Sequence, residues 1–268
     1  MALDCRETTR LWRVVHSHYA ICLLHRGHSD WSYRRREFSF EPGALYICEP
    51  GEVHATRRVD GPGDFSVVFL EPELVREGAA RLGIKNAPHF VPGRLSSAPL
   101  LHAYESARHA LSSPDPEYRA QEMSLLLYQL LEHSIPAPGR DELSPGKLYR
   151  AREHLRDLMG SRPESVVRLQ PVAEELGLSY HALIHGFSRQ FAIPPYEFVN
   201  QLRAQHVLAD IVRGPDGDCA TLSSLAHKWG YADGPHLSRA FKQYYRISPT
   251  DMARSLNPRW LRRPGKDR

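Results

Sequence analysis

The chain is 268 residues long, 41% apolar and 25% charged, with a net charge of +4 at neutral pH. That is enough chain for two modest domains, each burying its own core, and no apolar run of about 18 residues is present to cross a membrane as a helix. The four cysteines, Cys5, Cys22, Cys48 and Cys219, form no CxxC pair, which argues against a disulfide framework or a zinc site and fits free thiols in a reducing cytoplasm. The opening stretch M-A-L-D-C-R-E-T-T-R is charged early and lacks an apolar h-region, so no secretory signal is expected. Charge is unevenly spread. From Lys147 onward there are 19 Lys+Arg against 12 Asp+Glu, whereas the preceding part has 16 against 19. A basic C-terminal part beside a slightly acidic N-terminal part points to a polyanionic partner for the former, with a solvated basic tail as the plainer alternative.

In chain order, the part from about Arg13 to Phe90 consists of short apolar runs punctuated by Gly and Pro. Tyr19–Leu24, Ala44–Cys48 and Phe65–Leu70 read as strands of an antiparallel barrel or sandwich. The phrase P-G-A-L-Y-I-C-E-P-G-E-V-H spans Pro42 to His54, and an H-x-H pair stands at His16 and His18. Pro99–Leu111 and Glu117–His133 then read as helices, broken by S-S-P-D-P. The second carries Met123, Leu126, Leu127, Leu130 and Leu131, a wide apolar face that either packs on the barrel or forms a dimer seam. Ile135–Pro145, rich in Pro and Gly, reads as a linker.

The remainder repeats itself. Leu169, Ala173, Leu176 and Gly177 recur 53 residues later as Leu222, Ala226, Trp229 and Gly230; Phe187, Phe191, Ile193 and Pro195 recur 54 later as Phe241, Tyr245, Ile247 and Pro249. Each copy reads as helix, turn, helix. Leu169, Val172, Ala173 and Leu176 share one helical face, as do Leu222, Leu225, Ala226 and Trp229. Gly177 and Gly230 end the first helix of each copy in a left-handed turn. Ser179 and Asp233 are the expected N-caps of the second helices, which leaves Pro235 in a first turn where its missing N–H costs little. A helix marked by Leu148, Arg152, Leu155 and Met159 precedes the first copy. A longer one, marked by Phe198, Leu202, Leu208 and Ile211, links the copies between Pro194-Pro195 and Gly214-Pro215. Such hairpins could form a bare scaffold, as in helical solenoids; a short tight turn and a polar outer face on each second helix favour DNA reading instead.

The segment from about Lys147 to Arg254 resembles the DNA-binding domain of the AraC family of transcription regulators. The resemblance is most specific over W-G-Y-A-D-G-P-H-L-S-R-A-F-K-Q-Y-Y-R-I-S-P, Trp229 to Pro249, and looser over the first copy. Pro235 departs from the family's small polar residue, which puts base reading there in doubt, and Arg246 from its Gly, which changes a surface turn. Arg203 matches the linking-helix arginine, a structural position. Pro42–His54 is similar to the cupin-like sensor domain common in that family. The resemblance implies an α+β chain: an N-terminal cupin-like antiparallel β-barrel with a helical dimerisation segment, then an all-α double helix-turn-helix domain. The expected divisions are a sensor domain over 10–92, a helical dimerisation segment over 93–136, a linker over 137–146, the DNA-binding domain over 147–256 and a basic tail over 257–268.

In a helix-turn-helix the second helix enters the major groove and turns its N-terminal half to base edges. By position the DNA-facing candidates are Tyr180, His181, Ile184, His185 and Arg189 in the first unit and Gly234, Pro235, His236, Arg239 and Lys242 in the second. Arg239 is the strongest base reader, since a guanidinium grips O6 and N7 of guanine bidentately; His236 and Lys242 could equally hold phosphate. The first unit has no Arg or Gln at its central groove positions, so weak or shape-based reading is expected there.

In the N-terminal part, a barrel mouth lined by His16, His18, Trp31, Tyr33 and His54 would suit a small-molecule effector; a filled interior kept for dimerisation is the alternative. Imidazoles also suit transition metals, but the cupin metal pattern wants a Glu soon after H-x-H, and Tyr19-Ala20-Ile21-Cys22 supplies none. No cofactor and no metal are therefore expected. The partners expected are double-stranded DNA, a second copy of the chain and an effector, with RNA polymerase as a further candidate and no membrane. A cupin-type metal enzyme with a helical appendage, and an architectural DNA-bending protein, are the competing readings.

Overall fold

The computed structural model describes residues 2–34, 36–84, 88–136, 146–214 and 221–256. The chain divides into two compact units, 1–144 and 145–268. Residues 137–145, which hold nearly all of the expected linker, the expected tail 257–268, and Pro215 and Cys219 lie outside the described residues.

The first unit is built on two long antiparallel strands, β3 (Tyr19–Tyr33) and β6 (Val53–Leu70). β1 (Ala2–Thr8) and β2 (Arg13–Val15) pair with the two halves of β6, while β4 (Arg36–Phe40) and β5 (Leu45–Cys48) pair with the two halves of β3. The long pair bends where Gly27 meets Gly63. Gly27 has φ +92°, and a Cβ on it would stand 3.0 Å from Gly63 Cα, so only glycine permits the approach. The bend brings the two halves face to face over one apolar interior of Ala20, Cys22 and Leu24 with Trp31, Tyr33, Phe40, Tyr46 and Val67. The expected barrel thus takes the form of a folded-over antiparallel sheet, and its ladders do not close into a cylinder among the described residues.

Alternation along β3 sends Tyr19, Ile21 and Leu23 to the opposite face. There they meet α1 (Pro72–Arg81), α2 (Ala98–Ala110) and α3 (Pro116–Leu131), which cover the sheet through Val75, Tyr104, Leu126 and Leu130. Ser97 caps α2 by accepting from the Leu100 N–H, and Asp115 caps α3 by accepting from the Glu117 and Tyr118 N–H groups. β7 (Pro88–Phe90) pairs with β8 (Ser134–Pro136).

This packing corrects the dimer seam that the resemblance implied for α3. Leu126, Leu127, Leu130 and Leu131 lie in the protomer's own core, Leu127 being 6% and Leu130 1% exposed. A wide apolar helix face needs burial, and here α2 and α1 supply it together with the core under the sheet. The apolar side chains that α3 leaves outside are Tyr118, Leu125 and Tyr128.

The second unit contains only helices among its described residues: α4 (Lys147–Ser161), α5 (Leu169–Glu175), α6 (Tyr180–Phe191), α7 (Pro195–Arg213), α8 (Leu222–Lys228), α9 (Gly234–Tyr245) and α10 (Pro249–Leu256). α7 is the platform. Phe198, Val199, Leu202, Val207, Leu208 and Ile211 are all buried along it, and it packs against α4, α6, α9 and α10.

Candidate nucleic-acid interface

The repeat is realised as two helical hairpins. α5 and α6 turn through Gly177 at φ +60°, and α8 and α9 through Gly230 at φ +70°. At Gly230 space is as tight as conformation: a Cβ would sit 2.8 Å from Arg203 Nη2 and 2.9 Å from the Pro163 carbonyl oxygen. Ser179 Oγ accepts from the Ala182 N–H at 3.1 Å, and Asp233 Oδ1 from the His236 N–H at 2.6 Å, so both expected N-caps are in place. Leu183, Phe187 and Phe191 bury the inner face of α6; Leu237 and Phe241 bury that of α9.

The opposite faces are exposed, and they differ chemically. On α6 they present Tyr180, His181, His185 and Arg189, with Ile184 half-buried between them. The His181 and His185 rings lie 6.3 Å apart and 17° from parallel, and Tyr180 meets His181 edge-on. On α9 they present Pro235, Arg239 and Lys242. Arg239 has no hydrogen-bond or ion-pair partner among the described residues, so its guanidinium is available to a ligand. His236 is half-buried: its Nδ1 accepts from the Ala232 N–H at 3.3 Å and its ring packs edge-on to Tyr231. That leaves Nε2–H as the outward donor and makes His236 part of the turn as well as of the face.

Sequence reasoning missed the joint that fixes α8 and α9 to α7. Asp210, 7% exposed, accepts from Trp229 Nε1 at 2.8 Å, from Lys228 Nζ at 2.6 Å and from Arg213 Nη1 at 2.8 Å. One turn earlier His206 stacks on the Trp229 indole, centroids 4.4 Å apart and 4° from parallel. Arg203 is structural, as its match implied. It is buried, donates from Nη2 to the Ser165 carbonyl at 2.6 Å, and burial pulls its pKa below the usual arginine value. On the other side Lys147 Nζ donates to the Gly177 carbonyl and Gln190 to Tyr149 Oη, tying α4 to the first hairpin.

Four of the five effector candidates are brought together in the first unit. Trp31 stacks on His54 with centroids 5.3 Å apart and 7° from parallel, and His16 lies 5.0 Å from His54. Tyr46 and Phe40 pack around Trp31. Burial holds His16 well below the ordinary histidine range and His54 at about 4, so both rings are neutral. Tyr33 is the ladder partner of His54 and shares the apolar interior with Trp31, while its Oη accepts from the Glu49 N–H, beside the Arg34–Glu49 ion pair. His18 stands apart, bonded to Ser17 near Glu71. Among the described residues no three His, Cys, Asp or Glu side chains converge on a point that could hold a metal ion, and no helix is long and apolar enough to cross a membrane.

Comparison with known proteins accounts for both units. Residues 172–255 match a helix-turn-helix domain model, and residues 3–131 match the AraC-like ligand binding domain. The chain belongs to the AraC family of DNA-binding transcription regulators. It is 22% identical over 236 residues to the uncharacterized HTH-type transcriptional regulator YbfI of Bacillus subtilis, covering 83% of this chain and 79% of that one. Apo ToxT from Vibrio cholerae has the same fold, with a TM-score of 0.60 at 10% identity over 96% of this chain and 97% of that one. ToxT bound to an unsaturated fatty acid matches with a TM-score of 0.55 at 13% identity, over 96% and 94% of the two chains. These relatives are regulators, not enzymes, and the metal-enzyme reading gains nothing from them.

Proposed function

We propose that this AraC-family regulator reads DNA chiefly through α9, with Arg239 on a base edge and Lys242 on phosphate, while α6 makes a weaker second contact through Tyr180, His181, His185 and Arg189. The observation that carries this reading is the exposed Arg239, without a partner among the described residues, on the outer face of the second helix of a capped helix-turn-helix. Pro235 and the His236 Nε2–H lie at the start of the same helix, within reach of the backbone or a neighbouring base. Because both hairpins are fastened to α7, the two recognition helices would enter successive major-groove segments roughly 10 base pairs apart. Selection of bound fragments from random DNA tests this: the expected site has two short blocks at that spacing, and substituting either block weakens binding. A binder indifferent to block sequence would be an architectural protein instead.

The first unit would carry an effector, a reading supported by its match to the ligand-binding family and by the solved complex of ToxT with an unsaturated fatty acid. The chain would act in the cytoplasm as a homodimer, with RNA polymerase among its partners once on DNA. Tyr118, Leu125 and Tyr128 recur at seven- and three-residue spacing along the outer stripe of α3 and are about 40% exposed. They are the surface that a second copy would cover.

A further inference from the structure

α9 ends on an arginine that its backbone conformation disfavours. Arg246 stands at φ 61°, in the left-handed region that a Cβ makes costly and glycine enters freely, and its N–H closes the helix onto the Lys242 carbonyl at 3.0 Å. The matching residue 54 positions earlier, Ala192 at φ 63°, ends α6 in the same conformation. The same turn is thus built twice, and the first copy builds it without a cation. A long charged side chain is not what the turn requires.

What Arg246 adds is charge in a particular place. Arg239 and Lys242 lie on the side of α9 away from the buried Leu237 and Phe241, and Arg246 follows Lys242 one turn later; all three are exposed. α9 contains no Asp or Glu. The one acidic side chain of α10, Asp251, accepts from Arg254 Nη1 and from the Ser248 hydroxyl, both at 2.6 Å. Arg246 has no side-chain hydrogen bond or ion pair among the described residues. Seven residues of helix put it about 10 Å beyond Arg239 along the axis. The major groove is ~12 Å wide, so a helix that sets Arg239 on a base edge brings its C-terminal end to the rim of the groove, where the phosphates run.

We propose that Arg246 is a further DNA-binding residue, a phosphate clamp at the end of the recognition helix, kept in a strained turn at the expense of stability. The proposal rests on the reading of α9 as the recognition helix and extends it by one contact. A cation at a helix C-terminus also complements the helix dipole; that role would show in stability and leave DNA binding untouched.

The test is fluorescence anisotropy of the intact protein on two duplexes, one carrying the selected site and one of random sequence, over a series of salt concentrations. One phosphate contact contributes about −0.9 to the slope of log affinity against log salt, or about fivefold in affinity at 0.15 M. Arg246→Ala, which copies Ala192, should weaken binding to both duplexes by about that factor and make the slope shallower by about 0.9 for each bound protomer. Arg246→Lys should keep the wild-type slope. Arg246→Gly should lose the same affinity while its urea midpoint rises, whereas Ala192→Gly should raise the midpoint and leave affinity alone. Unchanged affinity and slope in both Arg246→Ala and Arg246→Gly would overturn the assignment and leave the side chain a helix-end charge. A loss confined to the selected site would overturn it too, since a phosphate carries no sequence. Arg239→Ala and Lys242→Ala serve as the reference. If they weaken binding and the Arg246 variants do not, this inference falls alone; if none of them does, α9 is not on the DNA and the reading beneath it falls as well.

Discussion

Replacing Asp210 by Ala removes the one carboxylate that receives Trp229, Lys228 and Arg213 together. The three partners do not count equally. Lys228 and Arg213 are 40% and 62% exposed and return to water, so each ion pair contributes at most about 1 kcal/mol. The Trp229 N–H is buried with its ring against His206 and has no water to turn to; an orphaned buried donor costs about 1–3 kcal/mol. The sum places the loss near 2 kcal/mol, located where α8 and α9 meet α7. At 1.4 kcal/mol per tenfold, that raises the population of the opened hairpin about thirtyfold. Amide hydrogen exchange read by mass spectrometry resolves it by segment. α8 and α9 should lose protection in Asp210→Ala, α5 and α6 should not, and Asp210→Asn, which keeps an acceptor for the indole, should lie between wild type and Ala. Unchanged exchange in α8 and α9 would mean that the joint does not hold the second hairpin, and the argument for a fixed spacing between recognition helices would fail with it.

Five other positions give checkable outcomes. α6 and α9 both end on a non-glycine residue in the left-handed region, Ala192 at φ 63° and Arg246 at φ 61°, so Ala192→Gly and Arg246→Gly should each stabilise the chain by about 0.5–1 kcal/mol in urea unfolding, whereas substitution by Val should do the reverse. Leu127→Glu puts a charge into the protomer's core and should leave little folded protein, while Leu125→Glu on the outer stripe of α3 should keep the fold and yield monomers in sedimentation; a folded Leu127→Glu monomer would reinstate the seam rejected above. The folded chain keeps His54 neutral down to about pH 4, whereas the unfolded chain takes up a proton there below ~6.5. The associated stability is intact above ~6.5, falls as the pH drops from ~6.5 to ~4 and then levels off, a loss on the order of 3 kcal/mol. His54→Phe should flatten that part of the stability profile, and an unaltered profile would show that the ring is solvated.

Much of the second unit was legible because a repeat states the same physics twice. Gly177 and Gly230, the caps Ser179 and Asp233, and the inner faces Leu183–Phe187 and Leu237–Phe241 all announce themselves by spacing. Asp210 and His206 do not: a single polar residue in a helix looks like any solvated one until the partner it meets through the fold is known. In the first unit the alternating runs revealed strands and not their length. β3 and β6 continue through Gly27 and through Gly61–Gly63, which read as turns, and β1 precedes the expected start of the domain because C-R-E-T carries no apolar alternation. The α3 error has a related cause. Amphipathic periodicity says that a face is buried and is silent on what buries it. That the buried Trp12 Nε1 and Thr56 Oγ1 have no partner among the described residues could not be read at all, since satisfaction of a polar atom is a property of the folded neighbourhood.

The central claim, that α9 reads sequence through Arg239, is tested most directly by titrating wild type, Arg239→Ala and Lys242→Ala against every single-base variant of the selected site at fixed salt. Arg239→Ala should cost about 1–3 kcal/mol and flatten the preference at one or two base pairs of a single block, leaving the other block untouched. Lys242→Ala should weaken all variants alike and reduce the salt slope by about one. A uniform loss in Arg239→Ala with every base preference intact would make that side chain a phosphate clamp and contradict the account.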